Sequence, residues 1–128
     1  MKKILIIGGS KGIGSAILEQ QLQNNLLINL SRTAPDILHA NLTHFSVDVI
    51  HDELPEIESL DALIYCPGSI TLKPIQNLTV EDFRNDFEIN VIGAFKVIQY
   101  YLPVLKKGEN PAIVLFSTVA AKLGMPYH

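Results

Sequence analysis

The chain has 128 residues, 48% hydrophobic and 18% charged, with ten basic and thirteen acidic side chains and a net charge of −3. That length and composition predict one folded domain rather than a disordered chain. The mixed charges give no basic surface for nucleic acid, and no apolar run approaches the roughly 18 residues of a membrane span. The single Cys66 excludes an internal disulfide and a cysteine metal cluster, and it fits a reducing, cytoplasmic compartment. The apolar run after Met1-Lys2-Lys3 is too short for a secretory signal and leads into glycines rather than a cleavage site.

Lys3 to Ile7 reads as the first strand, with a continuous apolar run that suits a parallel strand buried on both faces. It stops at Gly8-Gly9-Ser10-Lys11-Gly12-Ile13-Gly14, four glycines in seven positions. Strand, tight turn and helix in this order expose unpaired N–H groups at a helix start, and glycines let a polyanion approach them. A turn alone needs one or two glycines, because each loses backbone entropy on folding. The spacing Gly8-x-x-x-Gly12-x-Gly14 is not the commonest dinucleotide fingerprint, and Lys11-Gly12-Ile13 does not end as a phosphate loop does. The expected ligand is a dinucleotide diphosphate, held by Gly8, Ser10, Lys11, Gly12, Ile13 and Gly14.

Ile13 to about Asn24 reads as the first helix, with Ile13, Ile17, Leu18 and Leu22 on its apolar side and Asn24-Asn25 as its stop. Leu26 to Leu30 is the second strand, ending at Ser31-Arg32-Thr33. In a dinucleotide site an acid here grips the adenosine ribose, whereas an arginine accommodates a 2′-phosphate. This stretch has no acid, and Lys11 lies on the nearby turn, so both features favour NADP over NAD.

Residues 34 to 42 read as a linker, and His44 to Val49 as the third strand, with Asp48 at its carboxyl end, where ligands collect in open sheets and where an aspartate can equally serve as a helix or turn cap. His39, His44 and His51 lack metal-binding spacing and read as surface histidines. A short acidic helix is expected within 51–59. Ala62 to Tyr65 is the fourth strand, punctuated by Cys66-Pro67-Gly68. Cys66 reads as a packed small hydrophobe rather than a nucleophile.

Thr79-Val80-Glu81-Asp82 has the form of a helix cap, opening a helix that runs to about Glu88. Val91, Ala94, Phe95, Ile98 and Leu102 continue at helical spacing, with polar Asn90 set before them as a kink or a solvent-facing position. Pro103 need not end this helix, but Lys107-Gly108 should. Ala112 to Phe116 is the fifth strand, ending in the hydroxyls of Ser117 and Thr118. The alternation predicts an α/β fold, a Rossmann-type doubly wound parallel sheet of order 3-2-1-4-5, truncated after about five strands.

Taken together, these stretches resemble the classical short-chain dehydrogenase/reductase family. Gly8-x-x-x-Gly12-Ile13-Gly14 resembles its cofactor turn. Asp48-Val49 resembles the pair that holds adenine, and Leu60 to Gly68 the stretch ending in the family's Asn-Asn-Ala-Gly. Asn90-Val91-Ile92-Gly93 resembles the segment with the catalytic asparagine, and Ile113 to Thr118 the strand ending at the catalytic hydroxyl. Three departures stand out. Ile7 replaces the usual threonine, Tyr65-Cys66-Pro67-Gly68 replaces the asparagine-rich turn, and the catalytic hydroxyl position falls on Thr118, with Ser117 as the neighbouring candidate.

The resemblance implies hydride transfer between a nicotinamide and a small carbonyl or alcohol substrate. Thr118 or Ser117 would bond the substrate oxygen, and Asn90 would help hold a proton relay. It implies homo-oligomers through the helices after the fourth strand, with Phe95, Ile98, Tyr101 and Leu102 as interface residues or, alternatively, core. The family's Tyr-x-x-x-Lys pair would fall just beyond His128. Residues 1–128 are therefore expected to be a cofactor-binding domain incomplete at its carboxyl end, the amino-terminal part of an NADP-dependent reductase. The alternatives are a catalytically inactive nucleotide-binding or partner-binding protein and a structural fragment that needs a partner to complete its sheet.

Overall fold

The computed structural model describes residues 1–128. The elements run β1 (Lys2–Ile7), α1 (Gly12–Gln21), β2 (Asn25–Ser31), β3 (Leu42–Ser46), β4 (Ala62–Tyr65), α2 (Val80–Phe87), α3 (Gly93–Leu105) and β5 (Ala112–Leu115). The five strands form one sheet in the order β3-β2-β1-β4-β5, and every pair is parallel. The chain leaves β1 toward β2 and β3, then returns to β4 on the other side of β1. Ile7 lies opposite both Leu30 and Tyr65, so three strands finish at one level. That reversal opens a crevice at the carboxyl ends of the strands.

The continuous apolar run of β1 is needed because both of its faces are covered. Ile4 and Ile6 pack with Leu18 and Leu22 of α1 and with Leu27. Leu5 and Ile7 pack with Val97, Tyr101 and Leu105 of α3 and with Leu54 and Leu60 of the segment before β4. Each such buried side chain contributes about 1.5–3 kcal/mol relative to an exposed one. At the far edge, β5 is exposed along its whole length.

Several boundaries and faces differ from the sequence expectation. β3 begins at Leu42 and ends at Ser46, so Asp48 lies past the strand in a turn. The acidic helix within 51–59 does not form. Pro55 removes a donor there, and side chains of α3 take the segment's carbonyls: Lys96 Nζ donates to Ile50 and Asp52, and Tyr101 Oη to Pro55. Ile13 is not on the packed side of α1 but 58% exposed, because the helix faces the sheet only from Gly14 and Leu18 onward.

The α2–α3 run is continuous but passes through a π-turn over Glu88–Ile92. This turn is the kink weighed for Asn90. An extra residue in the turn shifts the register of the following face. The deepest row of α3 is therefore Gly93, Val97, Tyr101 and Leu105, rather than the row through Phe95 and Leu102. Tyr101 is thus core and unavailable as an interface residue, whereas Phe95 is 60% exposed. The expected cap is present: Thr79 Oγ1 accepts from the Asp82 N–H at 3.0 Å, and the Asp82 carboxylate accepts from the Thr79 N–H at 3.0 Å. Pro103 sits inside α3, which ends at Leu105 ahead of Lys107-Gly108.

Candidate functional site

The glycine turn crosses the carboxyl end of β1. The Gly8 N–H donates to Leu30 O at 2.8 Å, and the Cys66 N–H donates to Ile7 O at 3.0 Å, so both neighbouring strands hold its base. Gly8 has φ +79° and Gly12 φ +55°, the left-handed region that side chains disfavour. A Cβ on Gly14 would overlap the carbonyl oxygen of Gly8, so this glycine lets α1 lie against the turn. A Cβ on Gly12 would meet nothing within 4 Å, so that position faces open space. Lys11 caps α1 with its backbone only, and the N–H groups of Ser10, Lys11, Gly12 and Ile13 have no acceptor within the protein. They present the positive end of a ten-residue helix.

A cleft of about 640 Å³ opens beside this turn at the sheet reversal. Gly8, Ser10 and Lys11 line it from the turn, Ser31 and Arg32 from the end of β2, Asp48 and Val49 from beyond β3, and Pro67 and Gly68 from beyond β4. Pro67 packs over the turn, its Cγ 3.1 Å from where a Gly8 Cβ would lie. Lys11 and Arg32 are exposed, and neither forms an ion pair. Asp48 accepts from His51 Nδ1 at 3.1 Å and from the Ile50 N–H at 3.0 Å. The His51 hydrogen bond, aided by that N–H, outweighs partial burial and holds the Asp48 carboxyl below its ordinary value.

Other candidate residues lie around the cleft rather than in its wall. Gly12, Ile13 and Gly14 form the helix start behind Lys11. The Cys66 side chain turns to the α1 face and packs against that core, and burial pushes its thiol up to about 11. Asn90 Oδ1 accepts from the Ser69 N–H at 2.9 Å, and Asn90 Nδ2 donates to Ser69 O at 2.7 Å. The π-turn thus aims this amide at the strand exit, where it clamps the residue after Gly68. Tyr65 Oη donates to Ile89 O at 2.6 Å, tying β4 to the same turn. Ser117 and Thr118 follow β5 outside the cleft, and Thr118 Oγ1 accepts from the Ala120 N–H at 3.2 Å, leaving its own proton free to donate.

Sequence reasoning passed over three residues here. His51 bonds Asp48, and His44, half-buried rather than on the surface, bonds Asn29. Asn29 is buried in β2 and accepts from the Gly9 N–H at 2.8 Å. A lone amide inside an apolar strand was the available signal, since buried amides need partners.

A parallel 3-2-1-4-5 sheet with a glycine turn at its reversal defines a Rossmann-type α/β protein. Residues 33–128 match the family described as "short chain dehydrogenase", and the chain belongs to that family of oxidoreductases. It is 26% identical over 144 residues to cyclopentanol dehydrogenase of Comamonas sp. (strain NCIMB 9872), covering 98% of this chain and 58% of that protein. It is 29% identical over 127 residues to a 3-dehydrosphinganine reductase of Arabidopsis thaliana, covering 85% of this chain and 39% of that one. The chain thus spans little more than half the length of the first of these relatives.

Among solved structures, a short chain dehydrogenase from Leptospira borgpetersenii with bound NAD+ superposes with a TM-score of 0.84 at 23% identity, covering 97% of this chain and 54% of that one. ElxO with NADP bound gives 0.83 at 24% identity, covering 99% and 60%. No helix of this chain is long and apolar enough to cross a membrane.

Proposed function

We propose that residues 1–128 form the cofactor-holding domain of an NADP-dependent oxidoreductase acting on a small carbonyl or alcohol substrate. The observation that carries the cofactor choice is that two unpaired cations, Lys11 and Arg32, line a cleft whose β2 exit offers Ser31 instead of an acid. The free N–H groups of residues 10–13 take the diphosphate. Gly12 leaves room for it, and Arg32 and Lys11 take the 2′-phosphate. The Asp48 carboxylate, fixed in the cleft wall by its Ile50 and His51 bonds, accepts from the adenine amine. Pro67 and Gly68 border the path toward the nicotinamide.

The nicotinamide supplies the hydride chemistry when bound. Thr118, whose proton is free while its oxygen caps the following turn, donates to the substrate oxygen, with Ser117 beside it. Asn90 acts by clamping Ser69 and fixing the strand exit. Residues 1–128 hold no Tyr-x-x-x-Lys pair; in this reading they bind cofactor and orient substrate, and the general acid, a contribution of typically 10²–10⁴-fold, is not among them.

Calorimetric titration of residues 1–128 with NADPH and NADH tests the reading. The expected result is weak binding with NADPH preferred by tenfold or more, and an Arg32→Ala variant with that preference largely removed. Equal or tighter binding of NADH by the unaltered chain overturns the assignment.

A further inference from the structure

The interior of β2 carries a carboxamide among apolar residues, Asn29, and it is 0% exposed. A carboxamide offers one oxygen acceptor and two N–H donors. The Gly9 N–H fixes which way round it sits, because a donor must face the oxygen, here 2.8 Å away. Both protons of Nδ2 are then used, toward Ser31 Oγ at 2.9 Å and His44 Nδ1 at 3.0 Å. Ser31 Oγ passes its own proton to Thr33 O at 2.7 Å. The run of hydrogen bonds therefore joins the glycine turn to the loop that carries Arg32. It also accounts for Gly9, which the cofactor spacing leaves unexplained: a Cβ there would lie 2.5 Å from Asn29 Oδ1.

We propose that Asn29 is a positioning residue of the dinucleotide site, locking the glycine turn to residues 31–33, and that the lock requires His44 Nδ1 to carry no proton. This rests on the NADP reading above. If Nδ1 were protonated, two donors would face each other, and the amide could not turn over without surrendering Gly9. The ring nitrogens of His44 face Asn29 and, at 3.5 Å, Ser46 Oγ. The charged groups on the neighbouring segments are Lys11 and Glu19 beside and on α1, Arg32 after β2, and Asp36 and His39 in the stretch before β3. None bonds or pairs with the ring. Asp48, past β3, is engaged by His51 instead. Asn29 and, at the longer distance, Ser46 are therefore the groups that meet the charge on His44 directly.

The test uses residues 1–128 with Asn29→Leu and Asn29→Asp, read by amide hydrogen exchange at Gly9 without ligand and by NADP+ titration between pH 5.5 and 8. Asn29→Leu is expected to speed Gly9 exchange by tenfold or more and to weaken NADP+ more than NAD+. Asn29→Asp keeps an acceptor for Gly9 and offers His44 no donor; the ring donates from Nδ1 to the new carboxylate instead, as the neutral Nδ1–H tautomer or, with charge, when protonated, so protonation of His44 no longer breaks the lock. Its NADP+ affinity should therefore rise toward low pH relative to that of the unaltered chain. The 2′-phosphate titrates near pH 6 in both, so the difference between the two proteins is what counts. Parallel pH profiles, or Gly9 exchange unchanged in Asn29→Leu, overturn the proposal. Failure of the unaltered chain to bind NADP+ overturns the cofactor reading and the positioning role with it, while Gly9 exchange still reports whether the lock exists.

Discussion

Gly12→Ala separates the cost of the glycine turn from its use. Gly12 sits at φ +55° with nothing within 4 Å of an added Cβ, so the variant meets no protein atom. Its stability cost comes from the left-handed backbone, about 1–2 kcal/mol, less about 0.4–1 kcal/mol from a stiffer unfolded chain. The net is of order 1 kcal/mol, or about 3–6 °C in melting temperature for a domain of this size. The methyl group projects into the space proposed for the diphosphate. Displacing one charge-assisted N–H bond there costs about 2 kcal/mol, roughly thirtyfold in affinity.

Gly14→Ala reverses the balance, since its methyl overlaps the Gly8 carbonyl and lies 2.9 Å from the Gly9 Cα. Backbone has to move, and stability falls by several-fold more than in Gly12→Ala. Circular-dichroism melts and NADP+ calorimetry on both variants read the two effects separately. Binding by Gly12→Ala within twofold of the unaltered chain, or a stability loss equal to that of Gly14→Ala, would refute the reasoning.

Thr79→Ala removes one arm of the reciprocal cap and should cost about 1 kcal/mol, read as a lower urea midpoint with NADP+ affinity unchanged. Tyr65→Phe deletes the bond to Ile89 O, and the carbonyl it strands makes the loss about 1–2 kcal/mol by the same measurement. Burial raises Tyr65 to about 12 and Cys66 to about 11. The folded chain therefore keeps protons that the unfolded chain releases near their ordinary values, about 10 and about 8.5. That contribution to stability is complete below about pH 8.5 and is lost as pH rises toward 12, so the urea midpoint should fall between pH 8 and 10.5; a constant or rising midpoint contradicts this. At pH 8 a thiol reagent should leave folded Cys66 largely unmodified and label it after unfolding.

The parts of the fold that were legible are those where one residue type answers one local demand. Unbroken apolar runs mark strands covered on both faces, Thr79 and Asp82 mark a helix start, and the glycines mark the turn. The π-turn left only an ambiguous sign, because Asn90 disturbs a helix whether it kinks or faces water. Its tie to Tyr65, twenty-four residues earlier in the chain, is a tertiary fact. The same holds for residues 51–59, whose acidic composition reads as helix until Lys96 and Tyr101 arrive from α3 to take its carbonyls.

At the site, the residues that stand to meet a ligand through backbone or charge were readable, since glycine spacing and lone cations are local signals. The residues that hold those in place were not. Asn29, His44 and His51 act through partners on other strands or in a turn, and side-chain chemistry alone fits equally well with idle polar residues. What distinguishes Asn29 is that three separate hydrogen bonds converge on one amide with no exposure to water. Burying an amide is costly unless every bond is made, so the strand tolerates it only because the glycine turn, Ser31 and His44 are all in register. The cofactor turn is therefore held from beneath by β2, and its shape depends on a strand that makes no direct contact with the proposed diphosphate.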